Sequence, residues 1–138
     1  MKQRILIISD DRTTESLRRA LDERGFEVTL TEDANDGYRQ ILDATFDLVL
    51  VNLDSAITGA GLIKRIRSNG SLSQLRVMTV AEWGTGQATM ALAQGVDAFE
   101  PKPVEARRLV EAIERLLQPR AMTAWAGTTK RDLEDSQN

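Results

Sequence analysis

The chain alternates short apolar runs with amphipathic stretches, and this alternation constrains its fold more than any other feature. Ile5-Leu6-Ile7-Ile8, Leu48-Val49-Leu50-Val51 and the segment from Val77 to Ala81 are apolar or nearly so throughout. Short runs of this kind, bounded by polar or turn residues, read as strands buried on both faces. Between them, apolar residues recur at helical spacing: Leu17, Ala20 and Leu21, then Tyr38, Ile41 and Leu42, then Leu62, Ile63 and Ile66. A last stretch does the same with Leu109, Ala112, Ile113, Leu116 and Leu117. Strands alternating with helices that must cover them imply a parallel sheet with right-handed crossovers.

The spacing predicts strands over Ile5–Ile8, Phe26–Leu30, Leu48–Val51, Val77–Ala81 and Val96–Glu100. It predicts helices over about Thr13–Arg24, Ala34–Ala44, a third carrying Leu62 to Ile66 after a Thr58–Gly61 loop, Thr85–Gln94 and Glu105–Leu117. Gly25 and Gly95 are C-terminal stops, and Gly37 weakens the first turn of the second helix. Pro101 has no backbone donor to give a ladder, so the fifth strand belongs at a sheet edge. Five such units make an α/β, flavodoxin-like doubly wound sheet of five parallel strands in the order 2-1-3-4-5, with helices on both faces. Residues 1–118 are expected to form this domain. Residues 119–138 turn polar, with Trp125 the only large apolar group, and are expected to be a mobile tail or the stub of a linker.

Composition narrows the function classes. With 138 residues, 41% hydrophobic and 28% charged, the chain fits one soluble domain. A net charge of −3 offers no attractive field to a polyanion, which argues against nucleic acid as a partner. The absence of cysteine excludes a disulfide framework and thiol chemistry, and the absence of histidine excludes a histidine base or metal ligand. No stretch approaches the length of a membrane span, and the apolar run behind Lys2 and Arg4 is too short for a signal peptide. A cytoplasmic location is the expectation.

In a doubly wound sheet the ligand crevice lies beyond the carboxyl ends of the strands flanking the switch in strand order. Here those are strands one and three, which brings Asp10, Asp11 and Asn52 to one place. Paired carboxylates suit a hard divalent cation, and they equally suit the N-cap of the helix that follows. Toward the other edge stands Phe99-Glu100-Pro101-Lys102-Pro103. From Lys2 to Leu117, these strand-end residues together resemble the receiver domain of bacterial two-component response regulators. The resemblance implies magnesium at Asp10 and Asp11, a phosphate-pairing lysine at Lys102 and a signalling aromatic at Phe99. It places the phosphoacceptor at Asn52 and the switch hydroxyl at Val80, with Ala81 matching the small residue after it. The separations from Asn52 to Val80 and from Val80 to Lys102 are usual for that family.

Two positions depart from the family pattern. An amide nitrogen at Asn52 is a poor phosphoryl acceptor, and the lost charge weakens the magnesium site. Valine at position 80 has no donor to answer a phosphate. The reading is a degenerate receiver: not an enzyme, but a phosphorylation-independent module for a protein partner, a histidine kinase or another signalling protein. A homodimer through the face of the fourth helix, fifth strand and fifth helix is the matching expectation, with Phe99 and Trp83 on the signalling face.

The alternative is a working receiver that accepts a phosphoryl group on Asp54 from a histidine kinase. Asp54 lies two residues past Asn52 and points the same way in an extended strand. That register returns Asn52 to the strand interior, where an unsatisfied amide costs about 1–3 kcal/mol. A third reading makes the chain the sensory piece of a longer regulator. Thr79 is a poor substitute for a hydroxyl at position 80, because a one-residue shift turns the side chain to the other face. Gly84-Thr85-Gly86 lacks the Gly-Lys-Ser/Thr ending of a phosphate loop. Arg18-Arg19 and Arg107-Arg108 read as solvated helix faces, and Glu111 with Arg115 as an i,i+4 pair.

Overall fold

The computed structural model describes residues 2–10, 14–53, 59–82, 86, 93–103 and 105–118. Five strands, β1 (Arg4–Ile8), β2 (Glu27–Thr31), β3 (Leu48–Asn52), β4 (Arg76–Glu82) and β5 (Ala98–Lys102), form one sheet. Every pairing is parallel and the order is β2-β1-β3-β4-β5. The described helices are α1 (Thr14–Glu23), α2 (Ala34–Asp43), α3 (Gly59–Ser68) and a C-terminal helix, Ala106–Leu116, with a 3-10 turn at Gly70–Leu72. The expected doubly wound architecture is present. Of the helix expected over Thr85–Gln94, residues 85 and 87–92 lie outside the described residues, as do residues 119–138.

Strand alternation divides the core in two. Leu6, Ile8, Val49, Val51 and Val77 point to one face and bury against Ile41 of α2 and Leu62, Ile63 and Ile66 of α3. Ile5, Ile7, Leu48, Leu50 and Met78 point to the other, against Leu17 and Leu21 of α1 and Leu109 and Ile113 of the C-terminal helix. Each of these side chains contributes about 1.5–3 kcal/mol by leaving water. This two-sided burial explains why the central strands are continuously apolar.

Helix α2 approaches β1 closely. A Cβ on Gly37 would lie 2.6 Å from Ile8 Cδ1, so glycine serves here for packing as well as weakening the turn. The inward stripe of α2 is Ala34, Gly37 and Ile41. Tyr38 is partly buried, with the Arg65 guanidinium 4.2 Å from its ring centre. Leu42, expected inside, is 51% exposed: one residue past Ile41 is a rotation of about 100°, which carries it off the stripe.

The fifth strand starts and ends two residues later than expected. Asp97 fastens its entry: the backbone N–H of Asp97 donates to Val77 O at 2.8 Å, and its carboxylate accepts from Val77 N at 2.7 Å. Arg67 of α3 completes the fastening, donating to Gly95 O, Leu75 O and Asp97 Oδ2 at 2.9, 2.9 and 2.8 Å. The strand then runs through Pro101 to Lys102 on the sheet edge, as the missing proline donor requires. In the C-terminal helix Glu111 pairs with Arg107 at 3.7 Å, one turn earlier than the expected Arg115. Arg24 and Glu114 tie α1 to this helix with contacts of 2.8 Å.

Candidate functional site

The carboxyl ends of β1, β3, β4 and β5 converge on a cavity of about 630 Å3 between α1 and the C-terminal helix. Asn52, the last residue of β3, is 5% exposed. Its Nδ2 donates to Ser9 Oγ at 3.0 Å, and its Oδ1 accepts from Lys102 Nζ at 2.9 Å. Both ends of the amide are therefore held by side chains, one from each side of β3 in the sheet. Beside Asn52 in the ladder is Val80, its Cα partner, and Leu53 N donates to Val80 O at 2.9 Å.

Ser9 is the site residue that the sequence reading missed. The signal was available in the period of β1: Ile5, Ile7 and Ser9 share a face, and that face continues Leu48, Leu50 and Asn52 of β3. Asp10, expected near Asn52, follows Ser9 just past the end of β1 and is exposed, and the described lining on this side is Ile7 and Ser9. Asp11, Asp54 and Trp83 lie outside the described residues.

Val80 faces the cavity as expected for the position next to Asn52, 6% exposed, with no polar atom to offer. Thr79 is on the opposite face, fully buried, and its Oγ1 has no hydrogen-bond partner. Ala81 also packs on that opposite face. Phe99 is the Cα partner of Thr79 and packs, partly buried, against the α2–α3 core. Lys102 is paired across the β4–β5 ladder with Glu82, and both line the cavity. The Lys102–Pro103 peptide is cis.

A magnesium ion needs oxygen ligands, preferably carboxylates. Described oxygens in the cavity lining include the Ser9 hydroxyl, the Asn52 amide and the Glu82 carboxylate, and the amide oxygen accepts from the Lys102 ammonium. Among the described residues no three acidic or other metal-binding groups come together. Nor is any helix among them long and apolar enough to cross a membrane.

Residues 5–114 match the family of the response regulator receiver domain. The transcriptional regulatory protein DltR of Streptococcus agalactiae is 30% identical over 112 residues, 80% of this chain and 50% of that protein. The response regulator MprA of Mycobacterium bovis is 31% identical over 120 residues, 86% of this chain and 52% of that protein. The chain thus spans about half the length of these curated relatives. Among solved structures, a CheY-like response regulator receiver domain protein from Methanospirillum hungatei superposes with a TM-score of 0.77 at 27% identity, covering 85% of this chain and 94% of that one.

Proposed function

The chain belongs to the response regulator receiver family, and on that premise we propose that it is a phosphorylation-independent interaction module of two-component signalling. The observation that carries this reading is the engagement of Asn52, whose amide is buried and bonded at both ends by Ser9 and Lys102. An amide nitrogen has its lone pair delocalised into the carbonyl and does not accept a phosphoryl group. The lysine that would otherwise meet a phosphate oxygen holds the amide oxygen. Val80, beside Asn52, has no hydroxyl with which to sense a phosphate and relay it.

In this reading the chain is not an enzyme, and magnesium binds weakly if at all. Its partner is a protein, a histidine kinase or another signalling protein, met in the cytoplasm without nucleic acid or membrane contact by this segment. The face of β5 and the C-terminal helix, with Phe99, is the surface proposed for that partner or for a second copy.

The test is exposure of the protein to acetyl phosphate and magnesium, followed by intact-mass measurement, with a parallel amide NMR titration using beryllofluoride, an acyl-phosphate mimic. No labile adduct and no shifts reaching Phe99 are expected. An acid-stable, base-labile adduct that disappears in Asp54→Ala, with shifts extending to Phe99, would overturn the reading in favour of phosphotransfer to Asp54.

A further inference from the structure

The seam between α2 and α3 carries a groove of about 540 Å3, on the sheet face opposite α1 and the C-terminal helix. Tyr38 of α2 and Lys64, Arg65 and Ser68 of α3 line it, with Asn69 and Gly70 beyond the end of α3. Its walls are fixed to each other. The Arg65 guanidinium lies 4.2 Å from the Tyr38 ring centre and donates to Asn35 Oδ1 at 3.0 Å. Asn69 Nδ2 donates to the Tyr38 hydroxyl at 3.4 Å.

Charge is unevenly distributed around this groove. The chain carries a net charge of −3, yet residues 55–81 hold Lys64, Arg65, Arg67 and Arg76 and no acidic residue. Arg67 and Arg76 are matched by Asp97, at 2.8 and 3.8 Å. Lys64 and Arg65 are exposed and pair with no carboxylate among the described residues. The acids of α2 are placed elsewhere: Asp36 accepts from Thr31 and Gln40, and Asp43 lines a different cavity.

We propose that this groove docks an acidic peptide segment of a partner protein. A guanidinium carries several N–H donors and an ammonium carries more, and Asn35 Oδ1 engages only Nη1 of Arg65. The remaining donors suit carboxylates, which accept at both oxygens. From Gly61 to Ser68, α3 rises about 10 Å, the length of about three extended residues. A short run rich in Asp and Glu matches that length and charge. A nucleic acid would bring a longer polyanion to a chain of net negative charge. The surface goes beyond the function proposed above and does not rest on it. The C-terminal helix packs on the other face of the sheet, so a partner there and an acidic segment here can be held together.

The experiment is an amide NMR titration of the full chain with an end-blocked octapeptide of alternating glutamate and serine. The same peptide with glutamine for glutamate and a thymidine octanucleotide run alongside. The acidic peptide is expected to give saturable shifts at Tyr38, Lys64, Arg65, Ser68 and Asn69. The glutamine peptide should bind about tenfold more weakly, since two exposed ion pairs are lost. Lys64→Gln and Arg65→Gln should each weaken the acidic peptide by about two- to fivefold, and Lys64→Glu should weaken it further. Arg19→Glu, at an exposed position of α1, should leave binding nearly unchanged.

The proposal is overturned by shifts that do not saturate, by Lys64→Glu binding as the parent does, or by Arg19→Glu weakening the peptide as much as Lys64→Glu. Tighter binding of the oligonucleotide at the same residues would overturn it too. Asp132→Asn, Glu134→Gln and Asp135→Asn together should leave the titration as it is. A peptide that binds only in that variant would assign the groove to the chain's own terminus and overturn the partner. A phosphoryl adduct in the acetyl phosphate experiment bears on Asn52 and Asp54 alone, and the peptide titration on the α2–α3 surface alone, so the two failures are told apart.

Discussion

Lys102 Nζ and Asn52 Oδ1 meet at 2.9 Å although they belong to β5 and β3, which do not adjoin in the sheet. The lysine reaches over β4, and it does so beside Val80, the Cα partner of Asn52. A short apolar side chain at position 80 leaves that passage open. The pairing therefore ties β3 to β5 across β4 at their carboxyl ends, and Ser9, just past β1, extends the tie.

Replacing Asn52 by alanine removes a buried donor and a buried acceptor together. Ser9 loses its donor and the ammonium of Lys102 loses an acceptor, a cost of about 1–3 kcal/mol. Urea unfolding should show this as a lower midpoint with an unchanged slope. Asn52→Asp keeps an acceptor for Lys102 and should cost less than the alanine. An alanine variant as stable as the parent would show that the tie contributes nothing to the fold.

Thr79 should behave in the opposite sense. Its hydroxyl is fully buried with no partner, so the folded state bears a desolvation cost that valine does not. Thr79→Val is expected to raise stability by about 1 kcal/mol. A loss of stability in the same unfolding measurement would mean that the hydroxyl has a function in the folded state.

At the α2–β1 contact, Gly37→Ala sets two effects against each other. Alanine favours the helix by about 1 kcal/mol over glycine. Its methyl would sit 2.6 Å from Ile8 Cδ1, and Ile8 is fully buried, so overpacking costs about 1–3 kcal/mol. The net expectation is destabilisation. Ile8→Val removes the clashing atom, so the double variant should be more stable than the sum of the two single changes predicts. Simple additivity in a double-mutant cycle would refute the contact.

The carboxyl of Asp36 is held below the usual carboxylate range, first by the hydrogen bond from Thr31 Oγ1 at 2.8 Å, then by Gln40 Nε2 at 2.9 Å, with a smaller effect of Arg39. A lowered folded-state value stabilises the protein above the unfolded value, and that stabilisation is lost as the pH falls through the folded value. Asp36→Asn should lower the melting temperature at pH 7, and the gap should close as the pH drops below about 4. The group faces solvent, so the effect is small. A gap that stays constant across that window would show that the shift contributes nothing.

The architecture was legible because it is written in periodicity. Continuous apolar runs of β1, β3 and β4 announce burial on both faces, and Leu62, Ile63 and Ile66 announce an inward stripe; the folded chain shows both. Boundaries and single positions were harder. The later start of β5 depends on Asp97 and Arg67, which meet through a 30-residue separation that no local pattern encodes. Leu42 is apolar yet turned outward, because identity alone does not give rotation about a helix axis. At the site, Lys102 lies within hydrogen-bond distance of Asn52, a contact between strand ends 50 residues apart that no local pattern encodes. Ser9 escaped notice because the conspicuous carboxylates of Asp10 and Asp11 drew the reading past the strand's own alternation.

The two ends of the sheet divide their labour. Where β4 and β5 begin, Arg67 and Asp97 fasten helix to strand through several hydrogen bonds. Where the strands finish, Ser9, Asn52 and Val80 line a cavity together with Lys102 and Glu82. A chain anchored at one pole keeps its strands aligned there even when residues change at the other, where a change costs the hydrogen bonds of Asn52 with Ser9 and Lys102. Substitution at positions 9, 52 and 80 thus changes the chemistry of the cavity while the strand starts stay fastened.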